Sequence, residues 1–475
     1  MARRTKIAAT LGPATDSDQA LTRLLLAGVN VVRLNFSHGD ADSHRQRAAR
    51  VRRIAEEHGL SVGILGDLQG PKIRIESFAA GHADLRAGQA FVLDSHLDPA
   101  AGNEHAVGLG YPELAADLEP GDLLLLDDGA IGLRVENIAQ GRIETTVEND
   151  GRLSSRKGVN LRGGGLSSAG LAQQDHADIA LAAELELDFL AVSFVRSAAD
   201  LEQARSLLHQ AGGRARIVAK IERAEAVADL EAIIQAADVV MVARGDLAVE
   251  IGDPELPAVQ KRIIAHTREM NRMVITATQM MESMINHPTP TRAEVLDVAN
   301  AVLDGTDAVM LSAETAVGEF AAATVTAMAE ICLGAERGHT ARRSSAQLAA
   351  HFHRTDEAIA MAAAYTARHM RAEAIIALTE SGATSMLMSR QDIGIPIFAL
   401  TPSPATCRYL SLCRGVHPVL FEPSSLQGLT PIHEALACLL GRGALLAGDR
   451  VLVTHGDYTG PGGTNELKII TVPDD

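Results

Sequence analysis

Five short stretches of this 475-residue chain bring together side chains able to do chemistry. In Lys220-Ile-Glu222, residues two apart in an extended segment point the same way, so the ammonium and the carboxylate share one side; a buried ion pair would give the same pattern. In Ala243-Arg-Gly245-Asp246, Gly245 lets a ligand approach the backbone and Asp246 is a hard oxygen donor. Together, Glu222 and Asp246 could hold Mg2+, which typically takes one or two carboxylates and leaves its other positions to water and substrate oxygens. Arg33-Leu-Asn35-Phe-Ser37-His38-Gly39 gathers a guanidinium, an amide, a hydroxyl and an imidazole, a set suited to a phosphate or other oxyanion, although a polar loop reads the same. Ala277-Thr278-Gln279 and Ser312-Ala-Glu314-Thr315 add hydroxyls and a carboxylate that could relay a proton or simply cap helices.

These stretches lie at the ends of short apolar, β-branched runs at 6–10, 29–35, 61–67, 189–193, 216–220, 239–243, 274–277 and 308–311, separated by helix-like segments. Continuous apolar strands alternating with amphipathic helices imply parallel strands buried on both faces. Eight such units imply an α/β fold built on a (β/α)8 TIM barrel, whose active-site face is the C-terminal end of its strands. The runs meet Thr10, Asn35, Asp67, Ser193, Lys220, Gly245-Asp246, Thr278 and Ser312 there. Ordinary turn chemistry accounts poorly for a lysine, two aspartates and four hydroxyls in those places.

About 120 residues separate the third run from the fourth, where a barrel repeat needs ~25–45. Residues 70–165 in this gap are Gly-rich and alternate like strands, with Asp-Gly and Gln-Gly turns. They predict an inserted small β-barrel lid, placed to close over the barrel mouth. The barrel then comprises 1–69 plus 166–336, the lid 70–165, and a C-terminal α/β effector and oligomerisation domain 337–475, with a helix over 354–370 and strands near 374–378, 395–400, 451–454 and 467–472.

Composition narrows the partners. The chain carries 43 Lys+Arg against 60 Asp+Glu, a net charge of −17, with 3% aromatics and no Trp. A nucleic-acid binder needs a basic face and stacking rings, so none is expected. No apolar run approaches the ~20 residues that span a bilayer. Cys332, Cys407, Cys413 and Cys438 form no C-x-x-C pair and read as reduced thiols. Arg3-Arg4 is not followed by a signal-type apolar region, since Gly12-Pro13 and then Asp16 and Asp18 interrupt it. A cytoplasmic location is expected.

From the residues alone, the chain reads as a Mg2+-dependent barrel enzyme acting on a phosphorylated or carboxylated anion. Carboxylate-held Mg2+ beside a lysine suits phosphoryl transfer; it suits equally the enolate chemistry of an aldolase or lyase. An inactive metabolite sensor on the same scaffold would be expected to lack Lys220, Glu222 or Asp246, and all three are present.

The motifs, in order, resemble those of the pyruvate kinase family: KIAATLGPAT at 6–15, VVRLNFSHG at 31–39, KGVNL at 157–161, DFLAVSFVRS at 188–197, IVAKIERAEAV at 217–227, VVMVARGDLAVEI at 239–251, ATQMMESM at 277–284 and LSAETAVGEF at 311–320. The resemblance covers essentially the whole chain. It implies transfer of the phosphoryl group of phosphoenolpyruvate to ADP, giving pyruvate and ATP, the last step of glycolysis. Carried onto matching positions, Glu222 and Asp246 would hold Mg2+ or Mn2+, Lys220 would stabilise the transferring group and Arg33 would grip the phosphate. Gly245, Asp246 and Thr278 would hold the substrate carboxylate. Asn35, Phe36, Ser37 and His38 would line the nucleotide side, with Arg74 and Lys157 on the ADP phosphates. Thr278, Ser312 and Glu314 are its candidates for the proton path. The lid with Lys157 favours this reading over an aldolase or lyase.

At the end of the third run, many members read Asp-Thr-Lys-Gly-Pro-Glu and require K+. This chain reads Asp67-Leu68-Gln69-Gly70-Pro71-Lys72, which resembles the K+-independent branch. Asn35, Ser37, Asp67 and Leu68 outline the monovalent-cation pocket, and the Lys72 ammonium would supply the charge of the cation, so activity without added K+ is expected. Ala248 stands where the family usually has Gly, with little effect expected. The loop Thr379-Glu-Ser381-Gly382-Ala-Thr384 looks like a phosphate cradle at a helix start for a phosphorylated allosteric effector, or a capped turn without one; Ala383 stands where several relatives carry a cation. The resemblance also implies a homotetramer.

Overall fold

The computed structural model describes residues 3–167, 170–338, 352, 354–425, 428–456 and 463–473. Eight strands, β1 (Lys6–Thr10), β2 (Val31–Asn35), β3 (Gly63–Asp67), β4 (Phe189–Val192), β5 (Arg216–Ile221), β6 (Val239–Ala243), β7 (Met273–Ala277) and β8 (Ala308–Leu311), form a closed barrel in the order β1-β8-β7-β6-β5-β4-β3-β2. The pairing is parallel, with Lys6 opposite Ala308, Ala8 opposite Val31 and Val218 opposite Val239. Every residue of β1, β3, β6 and β7 is buried, because each strand packs inward on the barrel core and outward on its helices.

The strands match the expected runs, with shifts at their ends. β2 begins at Val31 rather than 29; just before it, Asn30 donates its N–H to the Ile7 carbonyl (2.9 Å) and its side chain accepts the Ile7 N–H (3.0 Å). β4 stops at Val192, before a left-handed Phe194 (φ +56°).

The chain divides into two compact units, one of residues 1–66, 185–189 and 264–475, the other of 67–184 and 190–263. In the second unit, the inserted strands, expected to close into a small β-barrel, form a six-stranded sheet and a two-stranded ribbon, the latter pairing Gly151–Ser154 with His82–Leu85. They share one hydrophobic core that includes Ile75, Phe91, Leu124, Leu133 and Val159. The Gln140-Gly141 turn has positive φ at both residues (48° and 75°), the geometry that matches strand twist in a two-residue hairpin. In the first unit, the C-terminal segment forms a five-stranded sheet, parallel except for its last strand, Glu466–Thr471. There, the fully buried Asp307 at the foot of β8 pairs with Arg390 (Nη1 to Oδ2, 2.9 Å) and accepts the N–H groups of Val274 and Arg414, both at 3.0 Å. Breaking such a pair leaves an uncompensated buried charge.

Among the described residues, no helix is long and apolar enough to cross a membrane, and Cys332, Cys407, Cys413 and Cys438 are free.

Candidate active site

In the second unit, the ends of β3, β4, β5 and β6 supply one ionic cluster. Lys220 Nζ lies 2.8 Å from Glu222 Oε1, 3.3 Å from Asp67 Oδ1 and 2.6 Å from Ser193 Oγ. The i, i+2 spacing across the end of β5, with Glu222 one residue past the strand, keeps the Lys220 and Glu222 side chains together, as read from the sequence. Ser193 Oγ donates to the Leu68 carbonyl (2.8 Å), which fixes the β3 end beside it. The other oxygen of Glu222, Oε2, accepts the Phe194 N–H at 2.7 Å. The left-handed Phe194 backbone is what aims that N–H at the carboxylate.

Burial pushes the Glu222 carboxyl up, and Asp246 adds to the rise while Lys220 opposes it. Asp246 is therefore close enough for the two carboxylates to repel. It sits, with Gly245, in the first turn of the helix Arg244–Ile251, which follows β6 directly. Asp246 Oδ1 accepts from Lys72 Nζ at 2.8 Å. Burial alone would lower the Lys72 ammonium, but Asp246, then Asp128 and Glu222, outweigh it and hold it above the ordinary lysine value. Lys72 also lies 3.7 Å from Asp128 and 5.8 Å from the centre of the Phe194 ring. The Gly70 turn that delivers Lys72 is pinned by the buried Asp175, whose Oδ1 accepts the Gly70 N–H at 3.1 Å. A side chain at Gly70 would come within 2.9 Å of Ser193 and Phe194.

No group of three or more His, Cys, Asp or Glu side chains among the described residues is placed to hold a metal. Glu222 and Asp246 are a pair, the number Mg2+ typically takes from protein. Two hard oxygen donors whose charges act on one another fit a divalent cation of that kind.

The remaining second-unit residues lie at the root of the inserted sheets. Arg74 pairs across a bridge with Gly158, and its Nη1 donates to the Arg156 carbonyl (3.1 Å). Lys157 Nζ pairs with Asp127 (2.8 Å). A cavity of about 420 Å3 is lined there by Lys72, Arg74, Arg156, Glu76, Tyr111 and Gln173, among others, a volume within the range of small-molecule sites.

The first unit holds the other group. Arg33 Nη1 donates to Thr10 Oγ1 at 3.2 Å. Asn35 Oδ1 accepts the Ser37 N–H (3.2 Å), and Ser37 and His38 are exposed. Phe36 is instead buried, edge-on to His44, and packs where only Gly66 leaves room (2.8 Å to a Cβ built there). Thr278 Oγ1 donates to the Ala277 carbonyl (2.6 Å). Glu314 is buried and accepts the backbone N–H groups of Met281 and Ser312. In the C-terminal loop, Thr379 Oγ1 accepts the Gly382 N–H (2.9 Å), Ser381 Oγ accepts that of Ala383 (3.4 Å), and Thr384 faces Thr464 (2.7 Å). The Thr379 and Ser381 hydroxyls thus take the two N–H groups at the start of the helix Ala383–Arg390, and Thr384 lies within its first turn.

The sequence reading missed the cluster roles of Ser193, Phe194, Asp128 and Asp175. Ser193 alone carried a signal, as a hydroxyl at a strand end.

Residues 2–325 match the family described as "Pyruvate kinase, barrel domain", and residues 357–470 that described as "Pyruvate kinase, alpha/beta domain". The chain is 53% identical over 475 residues to "Pyruvate kinase II" of Salmonella typhimurium, covering 99% of each. It is 53% identical over 474 residues to "Pyruvate kinase" of Haemophilus influenzae, again covering 99% of each. It is 40% identical over 479 residues to "Pyruvate kinase" of Geobacillus stearothermophilus, covering 100% of this chain and 81% of that protein.

Proposed function

The chain belongs to the pyruvate kinase family, and from that membership we propose that it transfers the phosphoryl group of phosphoenolpyruvate to ADP, yielding pyruvate and ATP, without a K+ requirement. The observation that carries the reading is the Lys220 ammonium held against Glu222, Asp67 and Ser193. An ammonium so fixed needs no reorganisation to meet negative charge on a transferring phosphoryl group, the form of stabilisation that dominates such reactions.

Glu222 and Asp246 would hold Mg2+ or Mn2+, which when bound supplies positive charge to phosphoryl and enolate oxygens. Arg33 grips the phosphate through its planar fork. Gly245 and Asp246, in the first turn of their helix, and the Thr278 hydroxyl take the substrate carboxylate. Asn35, Ser37 and His38 line the nucleotide side, with Phe36 beneath them as packing, and Arg74 and Lys157 meet the ADP phosphates. The proton that turns the enolate into pyruvate belongs to the group Thr278, Ser312 and Glu314.

The K+ part of the proposal rests on Lys72. Its ammonium is bound to Asp246 within the cluster, so a permanent positive charge stands beside the candidate metal carboxylates. By the family resemblance, Asn35, Ser37, Asp67 and Leu68 would be the positions that serve a monovalent cation in relatives that need one. A phosphorylated effector at Thr379, Ser381, Gly382 and Thr384, a homotetramer and a cytoplasmic location belong to the same proposal.

The test is a coupled assay with phosphoenolpyruvate, ADP and Mg2+ in a Tris buffer free of K+. Pyruvate formation little changed by adding K+ is expected. No pyruvate with or without K+ would end the reading; pyruvate only with K+ would end its monovalent-cation part.

A further inference from the structure

Thr278 is held in an unusual backbone. Thr278 and Gln279 have φ of +68° and +52°, left-handed conformations at two consecutive residues, the first of them β-branched. Such conformations persist only where the surroundings over-determine them. Met280 and Met281, which follow, are fully buried and anchor the turn on its apolar side.

Glu314 anchors its polar side. Oε1 accepts the Met281 N–H at 3.2 Å and Oε2 accepts the Ser312 N–H at 2.6 Å, with the residue 3% exposed. One buried carboxylate thus spans the segments that follow β7 and β8. The next residue, Thr315, donates to the Thr10 carbonyl at the end of β1 (2.9 Å), and Thr10 Oγ1 in turn accepts from Arg33 (3.2 Å). The single-turn helix Ala313–Ala316 therefore ties together the backbone under Thr278 and the residue beside Arg33. Close approach makes this possible: a Cβ on Gly318 would lie 2.3 Å from the Glu314 carbonyl oxygen, and one on Gly12 would lie 2.5 Å from that of Ala316.

We propose that Glu314 is a positioning residue, which holds Thr278 in its left-handed turn for the substrate carboxylate, and that it does not deliver the proton to the enolate. Both of its oxygens accept backbone N–H groups, so the side chain is committed to holding the two segments together. This assignment rests on the phosphoenolpyruvate reading above and divides the roles within the Thr278, Ser312 and Glu314 group.

Glu314→Gln keeps the size of the side chain but turns an amide NH2 toward one backbone N–H. Steady-state kinetics and exchange of the pyruvate methyl protons with solvent test the assignment, together with calorimetric titration of phosphoenolpyruvate with Mg2+ and no ADP. The expected result is at least a tenfold rise in both KM and Kd for phosphoenolpyruvate. kcat should stay within about threefold, with an unshifted pH profile, unchanged KM for ADP and retained proton exchange. A hundredfold loss of kcat and of proton exchange, at unchanged Kd, would overturn it. Glu314→Asp keeps an acid but is one methylene too short to span both N–H groups, so it asks the same question if the glutamine variant does not fold. Weakened binding with kcat kept supports positioning; normal binding with altered kcat contradicts it. A wild-type protein that binds phosphoenolpyruvate yet makes no pyruvate would instead contradict the functional reading.

Discussion

Lys72 Nζ stands 2.8 Å from Oδ1 of Asp246, inside the carboxylate cluster that also contains Glu222. A charge of fixed sign at this point bears on both the candidate metal site and the monovalent-cation question.

Lys72→Glu replaces that ammonium with a third carboxylate beside Asp246 and Glu222. Activity without K+ should fall roughly hundredfold, corresponding to the ~3 kcal/mol of an uncompensated charged group. Added K+ should restore most of it. The measurement is the coupled assay titrated with KCl against NaCl. Equal rates in the two salts would contradict the role given to Lys72.

Glu222→Gln removes one of the two candidate metal carboxylates, the one that burial first and Asp246 second push up. The Mg2+ concentration for half-maximal activity should rise at least about tenfold. Mn2+ binding followed by electron paramagnetic resonance should weaken in parallel. Unchanged Mn2+ affinity would remove Glu222 from the metal site.

Burial pushes the Glu250 carboxyl up to about 7, while the Ala224 N–H and Arg223 oppose the rise. The folded pKa lies above the unfolded value, so this group favours the fold most below about pH 4.5. The contribution is lost as pH rises through about 7, and amounts to at most ~3 kcal/mol. Glu250→Gln should therefore flatten the dependence of thermal stability between pH 5 and 8. A Tm difference between these pH values equal to that of the wild type would contradict it.

The barrel was legible because its strands are buried on both faces and so read as unbroken apolar runs. The pairing of Lys220 with Glu222 was legible because two residues in a strand repeat its side-chain period. Phe36 sat in a polar motif, yet the packing against Gly66 and His44 that buries it comes from distant positions. The left-handed backbones of Phe194, Thr278 and Gln279 left no local mark, since none of them is glycine. Nor could periodicity reveal that the inserted strands divide into a six-stranded sheet and a ribbon, because that depends on which strand ends meet. The hydroxyls of the Thr379 loop were read as a cradle or a cap, and two of them accept backbone N–H groups of the loop itself.

The central claim is that the Lys220 ammonium, held by Glu222, Asp67 and Ser193, carries phosphoryl transfer. Lys220→Met tests it most directly, with turnover and phosphoenolpyruvate binding measured on the same preparation. The account predicts a loss of kcat of at least about a thousandfold, some 4 kcal/mol, with Kd changed by less than about tenfold. Turnover within tenfold of the wild type would contradict it.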